Sequence, residues 1–385
     1  MSVRINFILR LQNVTVIVAK SVRCGNAPGI ARYTPRATMD QSTPQTAVKF
    51  ASLRPAPGMR AWFWLLLVAT LVLTACAALV FGAPVSLADL WSQDESRRTV
   101  ASTIFLQLRP IRILAGCLVG ASLAMAGAAL QSVFRNPLAE PYLLGISAGG
   151  ALGAAIGLAF TALATLVPAL AFAGALGASA TVYALGGRNP TGGRGASFDR
   201  ARLLLIGVAL SAFLSAILSL VVALTNRIQL AQQILFWTLG GLADVNPPQI
   251  WFLGFALLAG GFVFLASARD LNALRSGDDD ARALGVEVAQ VHRRLMCAAA
   301  LLSAAAVACA GLIGFVGLLA PHLVRSLVGD DARTLVPASA LGGAILLCAC
   351  DAIARSALRP IELPVGIVTA LLGVPLFLIL ARRNL

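Results

Sequence analysis

From Ala61 to the C-terminus the chain is a succession of long apolar runs broken by short polar stretches, without the two-residue alternation that marks half-buried strands. A helix needs about 20 largely apolar residues to cross ~30 Å of hydrocarbon. By that measure spans are predicted at 61–82, 111–131, 142–160, 162–186, 201–224, 250–267, 293–317, 318–328 (short), 335–356 and 363–381. The runs are rich in Ala, Leu and Gly and lack ~10-residue alternating segments, which predicts a helical bundle over a closed barrel. The expected fold class is all-α: a polytopic membrane protein of about ten transmembrane helices.

Composition agrees. Of 385 residues, 58% are hydrophobic and 12% charged, against about 25% charged in a soluble domain. The formal charge is +14, and the only lysines, Lys20 and Lys49, precede the first span. So apolar a chain offers no surface for a nucleic-acid stripe, and its charge fits the positive-inside rule. Alternating the spans from a cytoplasmic N-terminus puts Arg188, Arg194, Arg200 and Arg202, the stretch 269–294, and Arg382 and Arg383 in the cytoplasm. Cys76, Cys117, Cys297, Cys309, Cys348 and Cys350 fall inside apolar runs and read as core residues rather than zinc ligands or disulfide partners. No metal site and no cofactor is expected.

Residues 1–58 differ: they are polar, basic and broken by Pro28, Pro35, Pro44, Pro55 and Pro57. They are expected to form a disordered basic tail, without a secretory signal. Met59 directly before Arg60 makes a start assigned too far upstream the alternative. The transmembrane domain is then 59–385.

Arg109 and Arg112 open the second span on the external side, and Arg355 and Arg359 lie at the external end of the ninth, against the rule. Two readings stand: snorkelling or an Asp351–Arg355 helix salt bridge, or an external docking surface for an acidic partner. Ala124-Met125-Ala126-Gly127 returns as Ala308-Cys309-Ala310-Gly311, with Pro137 and Pro321 each ten residues past the glycine. This is either an inverted repeat, as in many transporters, or chance. Gly149, Gly153 and Gly157 at four-residue spacing signal close helix packing or a smooth pathway wall.

Catalytic chemistry is not apparent. Lys20-Ser21 lacks the glycines of a phosphate-binding loop, so any ATP would be hydrolysed by another subunit. His292 and His322 are isolated, and the span middles hold almost no carboxylates for a proton relay. Between the sixth and seventh spans, Gly277 can end one short helix, Asp278 to Asp280 favour the start of the next, and Leu284-Gly285 closes it. Two short helices joined at a glycine form a candidate peg for a partner's groove, or an ordinary solvated loop.

Gly277-x-x-x-Ala281-x-x-Leu284-Gly285 resembles the coupling-helix motif of the FecCD family, the permease subunits of type II ABC importers for vitamin B12, ferric siderophores and haem. Asn136-Pro137-Leu138-Ala139-Glu140-Pro141, Leu203 to Leu210, Gly311 to Leu318 with Pro321-His322, and Glu362 to Ala370 are similar to further family segments, so the likeness runs from about Ala61 to Leu385. The resemblance implies a vitamin B12 importer permease-like bundle in the bacterial inner membrane, carrying a bulky metal chelate inward, iron-siderophore first and vitamin B12 or haem next. It implies as partners two ATP-binding cassette ATPase subunits, a periplasmic substrate-binding protein, a second permease copy or paralogue, and membrane lipid. It assigns Arg109, Arg112 and Arg355 to binding-protein docking, Asn136 and Leu138 to the cytoplasmic gate, and Leu274, Gly277, Ala281, Leu284 and Gly285, in coupling helices at about 270–286, to ATPase coupling. Two departures stand out. Arg109-Pro110-Ile111-Arg112 replaces the family's Arg-Leu-Pro-Arg, which is expected to shift the helix start slightly. Asp199-Arg200 stands where relatives carry small hydroxyl residues at the inner gate. The rival reading is an ATP-independent secondary transporter or channel, which would need a mid-membrane ionisable site.

Overall fold

The computed structural model describes residues 57–81, 87–160, 165–187, 199–225, 227–358 and 361–384. The expected tail therefore lies, up to residue 56, outside the described residues, as do Arg188, Arg194 and Arg359. The described chain forms α1 (Pro57–Val80), α2 (Glu95–Thr103), α3 (Arg109–Phe134), α4 (Ile146–Ala159), α5 (Val167–Gly186), α6 (Arg200–Leu224), α7 (Ile228–Leu239), α8 (Pro247–Ala266), α9 (Ala268–Ser276), α10 (Asp278–Ala283), α11 (Val288–Ala310), α12 (Val316–Val328), α13 (Ala332–Ser356) and α14 (Val365–Asn384). Among the described residues no strand forms beyond one isolated bridge, Leu358 to Ile361. Seven helices are long and apolar enough to cross a membrane, and α4, α12 and α14 are shorter apolar helices. These ten correspond to the ten predicted spans. The α7 helix, with 12 residues, is too short to cross and is not among the predicted spans.

The second span does not start near Arg109. Asp94 caps α2 by accepting the Ser96 amide at 3.0 Å, and the helix then continues through a π-turn, Ile104–Leu108, into α3. Pro110 has no N–H to give to the ladder, and a wider turn just before it lets the helix run on instead of breaking. Arg109 and Arg112 consequently sit within a continuous 40-residue helical stretch, Glu95–Phe134.

The buried centre is α3, packed by α11, α12 and α13. Small residues permit this. A Cβ on Gly127 would come within 1.8 Å of the Gly317 carbonyl oxygen, so only glycine lets α3 and α12 approach so closely. Gly149 and Gly153 face the Gly174 and Leu170 carbonyls of α5 at similarly close range. Close packing of α4 on α5 is thus what the glycine stripe does. The two copies of the Ala/Gly repeat part company: Gly127 is mid-helix in α3, whereas Gly311, at φ +67, ends α11.

Residues 311–315, expected to continue a helix, are not helical. Gly311 and Phe315 both hold positive φ and separate α11 from α12. The 13 residues of α12 and the 14 of α4 give lengths of only about 20 Å, less than the ~30 Å of hydrocarbon. The non-helical backbone ahead of α12 thus lies within the bundle, where unpaired backbone groups have no water to bond. Side chains of the α3–α4 connection supply the partners. The Tyr142 hydroxyl donates to the Ile313 carbonyl at 3.0 Å and accepts the Ile313 amide at 3.1 Å. A Glu140 carboxylate oxygen accepts the Phe315 amide at 2.8 Å, and Gln131 Nε2 donates to the Leu318 carbonyl at 3.2 Å.

Candidate functional site: the two polar ends of the bundle

The arginine-rich end carries the predicted coupling element as two short helices, α9 and α10. Gly277, at φ +153 and ψ 151, is the non-helical joint between them. Leu274 and Ala281 point inward and are buried, whereas the apolar Leu284 stands 72% exposed. Gly285 turns the chain away at φ +83, a left-handed position suited to glycine. Asn272 and Arg275 tie α9 to the α12–α13 turn: Asn272 Nδ2 donates to Asp331 at 2.8 Å and Arg275 Nη2 pairs with Asp330 at 2.8 Å.

Asn136 and Leu138 sit beside this element, in the turn that follows α3. Asn136 is half-buried and its side-chain oxygen accepts the Leu138 amide at 2.9 Å, an Asx turn that holds the bend. Leu138 is exposed. Arg135, in the left-handed region at φ 50, ends α3 immediately before the pair. Asp199 caps α6 by accepting the Arg202 amide at 3.0 Å, and Arg200 turns back toward α3. The departure at Asp199-Arg200 is thereby given a local structural role: one residue caps the helix and the next ties it to its neighbour.

At the opposite end, two of the three arginines assigned to docking, Arg112 and Arg355, meet on Asp351, and Arg109 and Arg355 both reach the end of α1. Arg355 is 3% exposed and pairs with Asp351 at 2.9 Å while donating to the Ala78 and Phe81 carbonyls at 2.9 and 3.1 Å. Arg109 is 4% exposed, donates to the Leu79 carbonyl at 2.6 Å, and lies 4.0 Å over the Phe105 ring, a cation–π contact. Arg112 is half-buried, bonding Asp351 at 2.9 Å on one side and the exposed Glu362 at 2.8 Å on the other. Arg109 and Arg355 also bind the last turn of α1, whose end carbonyls lack helical partners and favour a cation. Both of the readings given to these residues bear on the geometry: the Asp351–Arg355 helix pair forms, and only Arg112 of the three reaches the surface.

A cavity of about 620 Å³ opens at this end, bordered by Arg112, Gln233, Trp237, Asp244, Asn246 and Glu362. Among the described residues no group of three or more His, Cys, Asp or Glu side chains could hold a metal ion. The Asp351–Arg355 pair was one of the two readings of the sequence and forms, whereas the long-range pairs were missed. Arg112 and Asp351 are 239 positions apart, and only the i, i+4 spacing of Asp351 and Arg355 is visible locally.

Comparison with known proteins extends the picture. Residues 66–383 match the FecCD transport family. The chain is 40% identical over 316 residues to the cobalamin import system permease protein of Halobacterium salinarum, covering 81% of this chain and 78% of the relative. It is 38% identical over 340 residues to the hemin transport system permease protein of Yersinia pestis, covering 86% and 97%. It also superposes with a TM-score of 0.73 and 32% identity on a metal-chelate type ABC transporter in an inward-facing conformation, covering 84% of this chain and 99% of that one. With the fold, the apolar spans and these matches in agreement, the chain belongs to the FecCD transport family.

Proposed function

We propose that the chain is the permease subunit of an ATP-binding cassette importer that carries a bulky metal chelate from periplasm to cytoplasm across the inner membrane. An iron-siderophore heads the candidate cargoes, with vitamin B12 and haem next. The observation that carries this reading is the α9–α10 element: a two-helix peg whose leucine, Leu284, is left 72% exposed. Such a residue on a polar end fits burial in another protein's groove, here a pair of ATPase subunits. The arginine-rich end is then cytoplasmic, with Asn136 and Leu138 as its gate, and the permease pairs with a second copy or a paralogue. The chain performs no chemistry itself. Among the described residues nothing favours a secondary carrier, since the buried Asp351 and the half-buried Glu140 carboxylates are engaged by arginines and by a backbone amide.

The opposite end is then the docking face for a periplasmic binding protein. Arg112 meets the acidic partner, while Arg109 and Arg355 hold the surface in shape beneath it. Replacing Arg112 with glutamine is expected to weaken binding of the cognate binding protein about tenfold, or ~1.4 kcal/mol, at low salt. Glu362→Gln, which releases Arg112 from its surface partner, is expected to strengthen binding. Surface plasmon resonance on permease in nanodiscs reads both, and unchanged affinity in both variants would remove Arg112 from the docking face.

A further inference from the structure

Where α3 ends, α6 begins and α9 passes into α10, three elements meet on one carboxylate. Asp278 is 9% exposed, and its Oδ1 accepts Arg135 Nη2 at 2.6 Å and Arg200 Nη2 at 2.5 Å. Each arginine also grips backbone. Arg135 Nε donates to the Leu274 carbonyl at 2.8 Å in α9, and Arg200 Nε donates to the Val133 carbonyl at 2.8 Å in the last turn of α3. The result is a closed triangle of charge-assisted bonds.

We propose that Asp278 is a positioning residue that transmits displacement of the coupling helices to the cytoplasmic ends of both α3 and α6, and through Arg135 to the gate pair Asn136 and Leu138. The proposal rests on the permease reading above and specifies the joint by which that machine works. Two features of the site favour it. The coupling element is anchored differently on the two sides of its joint: α9 is fixed to the α12–α13 turn through Asn272 and Arg275 and to α3 through Arg135 on the Leu274 carbonyl, whereas α10 is held to both α3 and α6 by the one carboxylate of Asp278. Gly277 lies between the two anchors, in a backbone conformation that side chains rarely adopt. A push on Leu284 therefore bends the element at Gly277 and carries Asp278 with α10. Arg135 is an exposed residue and Arg200 a half-buried one, but their side chains are only 32% and 23% exposed and each is also bonded to backbone, so they follow the carboxylate rather than release it to solvent.

Arg135 directly precedes Asn136, and Arg200 is the first residue of α6. One moving carboxylate thus drags the start of the α3–α4 turn and the start of α6 in the same direction. Independent motion of the two would break a charged hydrogen bond in a shielded site.

The test is Asp278→Asn, with Asp278→Glu as the conservative variant and Arg135→Gln alone and combined with Asp278→Asn. Each is assembled as the full complex with its ATPase and binding protein in proteoliposomes, and offered labelled cobalamin, haemin and ferrichrome. Cargo taken up and ATP hydrolysed are measured together, with retention of the ATPase on purification. The expected result for Asp278→Asn is a complex that assembles and hydrolyses ATP but moves at least about fivefold less cargo per ATP. Asp278→Glu is expected to recover part of that ratio, and the double variant to be no worse than Asp278→Asn alone, since both break one joint. Unchanged cargo per ATP, or additive losses in the double variant, would overturn the proposal. Loss of the ATPase from Asp278→Asn would also overturn it, by making Asp278 part of the docking surface. If the unaltered chain shows no ATP-driven uptake, it is the permease reading that fails, and the two failures are told apart.

Discussion

Replacing Asp351 with alanine is expected to damage the folded permease more than any other single change considered, by about 3–5 kcal/mol. Among the described residues, Arg355, at 3% exposure, would lose its one carboxylate partner, and Arg112 would retain Glu362 at the surface. Stranding a charged guanidinium in a low-dielectric interior costs far more than an exposed pair is worth. The loss would spread, because Arg355 also holds the end of α1 through the Ala78 and Phe81 carbonyls. Thermal unfolding of the detergent-solubilised chain measures this directly. Asp351→Asn, which keeps an acceptor oxygen, is expected to lose less. An Asp351→Ala protein as stable as the parent would mean that the three helices α1, α3 and α13 are not held together through this carboxylate.

The second large effect is expected at Leu284. Changing it to aspartate is expected to abolish recovery of the ATPase subunit with the permease, a loss of at least about 2 kcal/mol, or ~30-fold in affinity, as for a central contact residue in an interface. The change is expected to leave the permease itself folded, since the residue is 72% exposed. Affinity purification of tagged permease, scored for bound ATPase and for the permease's own thermal midpoint, separates the two effects. Full recovery of the ATPase with the Leu284→Asp protein would sink the peg.

The spans were legible because apolar length is a local property and the bilayer sets the minimum. The two short helices α9 and α10 were legible for a similar reason: Gly277, the aspartates after it and Leu284-Gly285 punctuate the sequence within ten residues. What stayed hidden depends on partners far apart in the chain. The break at 311–315 reads as helix because Leu312, Ile313 and Phe315 are apolar, and only the distant Tyr142 and Glu140 make the unwound backbone tolerable. The continuity of α2 into α3 was hidden by Pro110, which by itself signals a helix start and is absorbed by the preceding π-turn. Arg109, Arg112 and Arg355 stood out in the sequence by their charge at the ends of apolar runs. Their burial could not be read from spacing, because the groups that draw them inward are the α1 carbonyls and Asp351.

The most direct test of the central claim is uptake of labelled ferric siderophore, cobalamin and haem by proteoliposomes holding this chain with its cognate ATPase and binding protein. ATP-dependent accumulation of one of the three, lost when either partner is omitted, is the expected result. Accumulation without ATP or without the ATPase would contradict the importer reading and favour a self-sufficient carrier.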